Sequence, residues 1–122
     1  MHSLVADLLG ECPFLATPLR EIALLDEADL ELATVVFGGV ARLLTKHRLQ
    51  PEQEDAVFAY FNTLAESGDA NAHEILGTGA IELFNDDAAS QRLARTRLTG
   101  AALAMLERFR ESSGQPDYGV AK

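Results

Sequence analysis

A chain of 122 residues with 48% apolar content suits one domain with its own core, and a net charge of −9 works against general nucleic-acid binding because phosphates are repelled. Ala and Leu dominate while β-branched residues are sparse, which favours helix over sheet. The single cysteine, Cys12, excludes an intramolecular disulfide; it reads as a buried apolar filler in a reducing compartment.

No basic segment precedes an apolar run at Met1–Asp7, so the start does not read as a signal peptide, and the longest apolar runs fall far short of a membrane span. A cytoplasmic protein with no membrane contact is expected. The distribution of charge says more than its total. Residues 49–91 hold Glu52, Glu54, Asp55, Glu66, Asp69, Glu74, Glu82, Asp86 and Asp87 without one Lys or Arg. Cations gather instead at Arg42, Lys46 and Arg48, and at Arg92, Arg95, Arg97, Arg108 and Arg110. Such a field favours encounter with a basic protein partner.

In chain order, Ser3 can cap a short helix to about Leu9, with Gly10 as its stop. Cys12-Pro13 breaks the pattern. Either Pro18 then opens a helix to about Leu25 with Thr17 as its cap, or Pro13 opens one longer, kinked helix. Asp26–Glu31 reads as a charged connector or a first helical turn. In Leu32–His47 the stripe Val36, Phe37, Val40, Leu43 and Leu44 has helical spacing that continues through Gly38 and Gly39, where another helix backbone is expected to cross closely.

Pro51 reads as the first residue of a helix to Glu66, with Glu52 and Glu54 at its positive end and Val57, Phe58, Phe61, Leu64 and Ala65 buried. Ser67-Gly68-Asp69 closes a helical hairpin: Gly68 is expected in a left-handed conformation, and Asp69 caps a helix over Ala70–Phe84. There Ala72, Ile75, Leu76, Gly79 and Leu83 share a face, with Gly77 and Gly79 as further sites of close approach. After a cap at Asn85-Asp86, a helix from Asp87 to Arg97 turns Ala88, Leu93 and Ala94 inward. Thr99 caps a last helix from Gly100 to about Arg110 that buries Leu103, Leu106 and Phe109. The predicted fold is all-α: one domain over residues 1–111 of six or seven short helices in antiparallel hairpins, either α-solenoid-like or an irregular bundle, with a mobile polar tail over 112–122.

No His-Glu-x-x-His helix, Cys/His cluster, phosphate loop or nucleophile elbow is present, so no catalytic, cofactor or metal residues are assigned and no enzyme activity is expected. His73 with Asp69 and Glu82 is the nearest approach to a metal set, but a cap and a solvated face explain those residues more simply. Arg92, Arg95 and Arg97 suit ion pairing within the chain.

Phe37-Gly38-Gly39-Val40-Ala41-Arg42, Phe61–Asp69 and Ile75–Leu83 together resemble a family of small, acidic, all-helical, uncharacterised bacterial proteins, over about Leu32–Phe109. Members look like immunity proteins encoded beside secreted toxins. Gly77-Thr78-Gly79 departs from the bulkier apolar residues of that pattern. The resemblance implies an immunity-type protein that neutralises a cognate, basic toxin domain by occlusion. Glu52, Glu54, Asp55, Glu66, Asp69 and Glu74 are the candidate charges, and Tyr60 is the candidate anchor. The rival reading is a helical scaffold or regulatory interaction module that forms a homodimer.

Overall fold

Helices and the short turns between them make up the described residues of the computed structural model, 4–22 and 33–118, and among these no strand occurs. Helix α1 spans Leu4–Glu11 and buries Val5 and Leu8. The Cys12 N–H still donates to the Leu8 carbonyl, at 2.8 Å. Pro13 then opens a 3₁₀ turn, Pro13–Leu15, that runs directly into α2, Ala16–Ile22. Pro13 therefore opens the longer element. Pro18 lies within the first turn of α2 rather than starting it, where its missing N–H is tolerated. The predicted Ser3 cap and the Asp26–Glu31 connector lie outside the described residues.

Helix α3, Ala33–Thr45, buries the whole predicted stripe. In the turn that follows, His47 takes φ 53, while the Arg48 N–H reaches back to the Leu43 carbonyl at 2.9 Å. Helix α4, Pro51–Glu66, starts where Pro51 predicts, and Gln53 Oε1 accepts the Gln50 N–H at 2.9 Å. Next comes one rod in three hydrogen-bonding registers: α5, Ala70–Ile75, a π-helical segment, Leu76–Ile81, and α6, Glu82–Phe84. The Glu82 N–H closes the wide turn onto the Gly77 carbonyl, and Thr78 Oγ1 donates to the Glu74 carbonyl at 2.8 Å. The register changes where Gly77 and Gly79 weaken the ordinary helix. Helices α7, Ala88–Arg97, and α8, Gly100–Ser113, complete the fold.

The π segment is the centre of the bundle, packing against α3, α4 and α8. A Cβ at Gly79 would lie 2.8 Å from Phe37 Cβ and 2.9 Å from the Thr34 carbonyl oxygen, while one at Gly38 would lie 3.3 Å from the Gly79 carbonyl. Gly38 and Gly79 are thus the crossing point of α3 and the rod. Gly77 makes room for the Phe109 ring of α8 instead, 2.3 Å from where its Cβ would stand.

Behind this crossing, fully buried Phe37, Phe58, Phe61 and Phe84 form a continuous aromatic cluster. Phe37 stacks on Phe61 at 5.8 Å between centroids, and Phe58 stacks on Phe84 at 5.9 Å. Each ring buried is worth about 1.5–3 kcal/mol. Because α4 packs on α8, and α3 reaches both α6 and α7, elements distant in sequence interlock. The architecture is an irregular all-α bundle and not a solenoid, whose repeats touch only their neighbours.

Five local expectations are corrected. Gly68 is not left-handed: among the described residues only His47, Gly100 and Gly114 take positive φ. On α7 the buried residues are Ser90, Gln91 and Ala94, whereas Ala88 is exposed. On α8 they are Ala102, Met105 and Leu106, with Leu103 and Phe109 only partly covered. Asp87, not Asn85-Asp86, caps α7, accepting the Ser90 N–H at 2.8 Å. Helix α8 also continues through Ser113, past the expected start of the tail at Ser112.

Candidate functional site

Along α4, Glu52, Asp55, Ala59, Thr63 and Glu66 recur at steps of three and four and are all exposed, so they form its outer stripe. The opposite side carries Val57, Phe58, Phe61, Leu64 and Ala65 into the core. Tyr60 lies between the two. It is only 8% exposed, and its hydroxyl donates to Asp7 Oδ2 on α1 at 2.8 Å. Burial first, and the Asp7 carboxylate second, push the phenol well above its usual pKa, so it remains a donor. The anchor proposed at Tyr60 is therefore largely inside the fold.

That bond spans one side of an open groove between α1 and α4. Asp7 and Glu11, one helical turn apart, form the α1 wall, and Ala56, Ala59, Tyr60 and Thr63 form the α4 wall, enclosing about 420 Å³. The groove's α4 side is lined mainly by small side chains and its α1 side by carboxylates. This geometry suits a long cationic side chain, whose stem can lie on the alanines while its head meets Asp7 and Glu11.

Of the candidate carboxylates, Glu52, Asp55 and Glu66 share the outer stripe of α4, and most of the six already have partners within the fold. Glu54, with a side chain only 12% exposed, sits 3.6 Å from both His47 Nδ1 and Arg97 Nη1. Asp55 accepts from Arg97 Nη2, and the same guanidinium lies 4.9 Å above the Phe58 ring. Glu66 Oε2 accepts the Ala101 N–H at 3.2 Å. Asp69 Oδ1 accepts the Asn71 and Ala72 N–H groups at 3.0 and 3.2 Å, which is its capping role. Glu52 and Glu74 are exposed, with no ion pair among the described residues.

Arg95 and Arg97 are used in internal ion pairs, as expected, while Arg92 stays exposed. Arg95 holds Glu107 through two parallel bonds of 2.8 and 2.9 Å, and these keep the Glu107 carboxyl below the usual carboxylate range. Cys12 is 1% exposed, and burial pushes its thiol up, away from nucleophilic reactivity. His73 Nε2 is buried without a hydrogen-bond partner. Among the described residues no group of three or more His, Cys, Asp or Glu side chains is placed to hold a metal. No described helix is long and apolar enough to cross a membrane.

Sequence reasoning missed Asp7 and Glu11. Their i, i+4 spacing was visible, but the contact that gives them a groove joins residues 53 positions apart. No family model, curated protein or solved structure matches the chain.

Proposed function

We propose that this chain is a cytoplasmic, immunity-type protein that binds a basic toxin domain and neutralises it by occlusion. The observation that carries the reading is the α1–α4 groove, in which Asp7 and Glu11 of α1 face Ala56 and Ala59 of α4. A toxin that acts on an anionic substrate presents Lys or Arg at its own site. Inserting such a side chain here would cover that site and match its charge. The outer stripe of α4, with Glu52 and Glu66, would then act as a rim that speeds encounter. Compared with the candidates read from the sequence, the contact shifts from the hairpin turn toward α1, because Tyr60, Glu54, Asp55 and Asp69 have internal partners.

The heteromeric reading is supported over the homodimeric scaffold by the sparse apolar surface. Among the described residues only Val35 and Tyr118 are large hydrophobics left exposed, at 42% and 40%. Obligate homodimer faces are as a rule apolar over a wide area.

The test is co-expression with the secreted protein encoded by the adjacent gene, followed by titration of the purified pair at low and high salt. The Asp7→Asn/Glu11→Gln double variant keeps an acceptor for Tyr60 and should bind roughly tenfold more weakly, with a flatter salt dependence. Unchanged affinity in the double variant, or failure to recover a complex, would overturn the proposal.

A further inference from the structure

Outside the acidic groove, the short strap 115–118 folds back onto α7 and is held through its main chain, as a bound peptide is. Gln91 is 1% exposed. Its Nε2 donates to the Pro116 carbonyl at 3.0 Å, and its Oε1 accepts the Tyr118 N–H at 2.8 Å. One side-chain amide thus grips both main-chain groups flanking Asp117, as a neighbouring β-strand would. Between them, Arg95 Nη1 takes the Asp117 carboxylate at 2.6 Å.

The gripping groups are fixed from behind. Gln91 Nε2 also donates to Asn85 Oδ1 at 2.9 Å, and Asn85, itself 1% exposed, donates to the Leu106 carbonyl at 3.2 Å. Arg95 is oriented by its paired bonds to Glu107. Beside the strap, Ala88, Arg92, Thr96 and Tyr118 border a further space of about 130 Å³, enough for one more side chain. Fully bonded, buried amides of this kind are costly unless every group is satisfied, so the cleft is complete only while an extended segment lies in it.

We infer that the α7 cleft is a recognition site for an extended acidic peptide, occupied in cis by Pro116-Asp117-Tyr118 and open to a partner segment of the same chemistry when the strap lifts. The two bonds to Gln91 read main chain and are indifferent to sequence, and the Tyr118 hydroxyl adds a longer bond to the Asp86 carbonyl at 3.5 Å. The bond to Arg95 demands a carboxylate. The occupant is therefore an extended segment with Asp or Glu at the position facing Arg95, and the cis strap, tethered through left-handed Gly114, is its competitor. Tethering gives that competitor an effective concentration on the order of millimolar, so the site is gated rather than freely available.

The full chain carrying Asp117→Asn and Tyr118→Pro removes the strap's charge and its N–H donor while leaving Gln91 and Arg95 in place. A synthetic peptide of residues 114–119 is titrated into it, following the Gln91 side-chain amide by NMR. The expected result is saturable binding with the Gln91 resonance shifting, roughly tenfold weaker binding of the same peptide with Asn in place of Asp, and binding to the wild type at least about tenfold weaker than to the variant. The inference is overturned if the released cleft takes up no peptide at millimolar concentration or if the Asn peptide binds equally well. It also fails if the strap of the double variant stays docked, because its named contacts would then not be what holds it.

Discussion

Two helix corners lie against the same end of α4 and are built in opposite ways. At Ser67–Asp69 the capping is local: Asp69 serves its own helix by accepting the Asn71 and Ala72 N–H groups. At Leu98–Gly100 it is borrowed. Thr99 occupies the cap position of α8 but makes no side-chain cap bond. Instead Asn62 of α4 accepts the Thr99 N–H at 2.9 Å and donates to the Arg97 carbonyl at 3.3 Å, and Glu66 accepts the Ala101 N–H. The first corner holds its shape from within, whereas the second holds only while α4 is beside it. A corner that needs a distant helix should also be the more damaging one to disturb.

The largest effect is expected at Gly100. It has φ +48, and a Cβ there would stand 2.6 Å from Glu66 Oε2, the atom that caps α8. Gly100→Ala should therefore impose left-handed strain and displace the borrowed cap together, costing about 2 kcal/mol in urea unfolding. If it costs less than Asp69→Ala, the contrast between the corners fails. Asn62→Ala comes next. It removes both bonds that tie the corner to α4 and should cost about 1.5 kcal/mol, with faster amide exchange at Thr99 and Ala101.

This contrast also explains what was legible in the sequence. Helix starts at Pro51 and Asp69 follow from residues adjacent to the elements they open, and the Val36–Leu44 stripe follows from periodicity, so these could be read directly. The Gly38 and Gly79 approach was legible for a similar reason, since glycines inside an apolar helix need a spatial cause. The buried polar face of α7 was not. Gln91 looks like a solvent residue, and only the return of residues 116–118 makes its burial affordable. The candidate site suffered in the same way. Tyr60 reads as a surface anchor because nothing local announces a partner at Asp7, and the cation that pairs with Glu54 and Asp55, Arg97, lies about forty residues on.

Asp69→Ala sharpens the local side of the comparison. Loss of the cap should cost about 1 kcal/mol in thermal or urea unfolding, and Asp69→Asn, which keeps the acceptor, should restore most of it. The cap of α7 adds a pH test. The Ser90 N–H holds the Asp87 carboxyl below the usual carboxylate range. Its contribution is therefore present above the unfolded-state value of about 4 and is lost as pH falls through the lower folded value. Asp87→Asn should be less stable than the wild type by about 0.5 kcal/mol at neutral pH, and the gap should close on acidification. A gap that widened toward low pH would contradict that assignment.

The smallest effect, at Gly68, has the most informative sign. Turn chemistry alone makes Gly68 the residue that ends α4 in a left-handed conformation, and on that basis any side chain there would be damaging. The structure places it outside that region: Ser67 already leaves the helix with φ −69 and ψ 156, and Gly68 is exposed, with nothing within 4 Å of where a Cβ would stand. With neither strain nor collision in the folded state, the remaining effect of Gly68→Ala lies in the unfolded chain, which loses conformational freedom. The substitution should stabilise by about 0.5 kcal/mol, read as a raised urea midpoint at unchanged slope. A loss of 1 kcal/mol or more would mean that Gly68 visits the left-handed region after all, and that the Ser67–Asp69 corner is no more self-contained than the one built on Gly100.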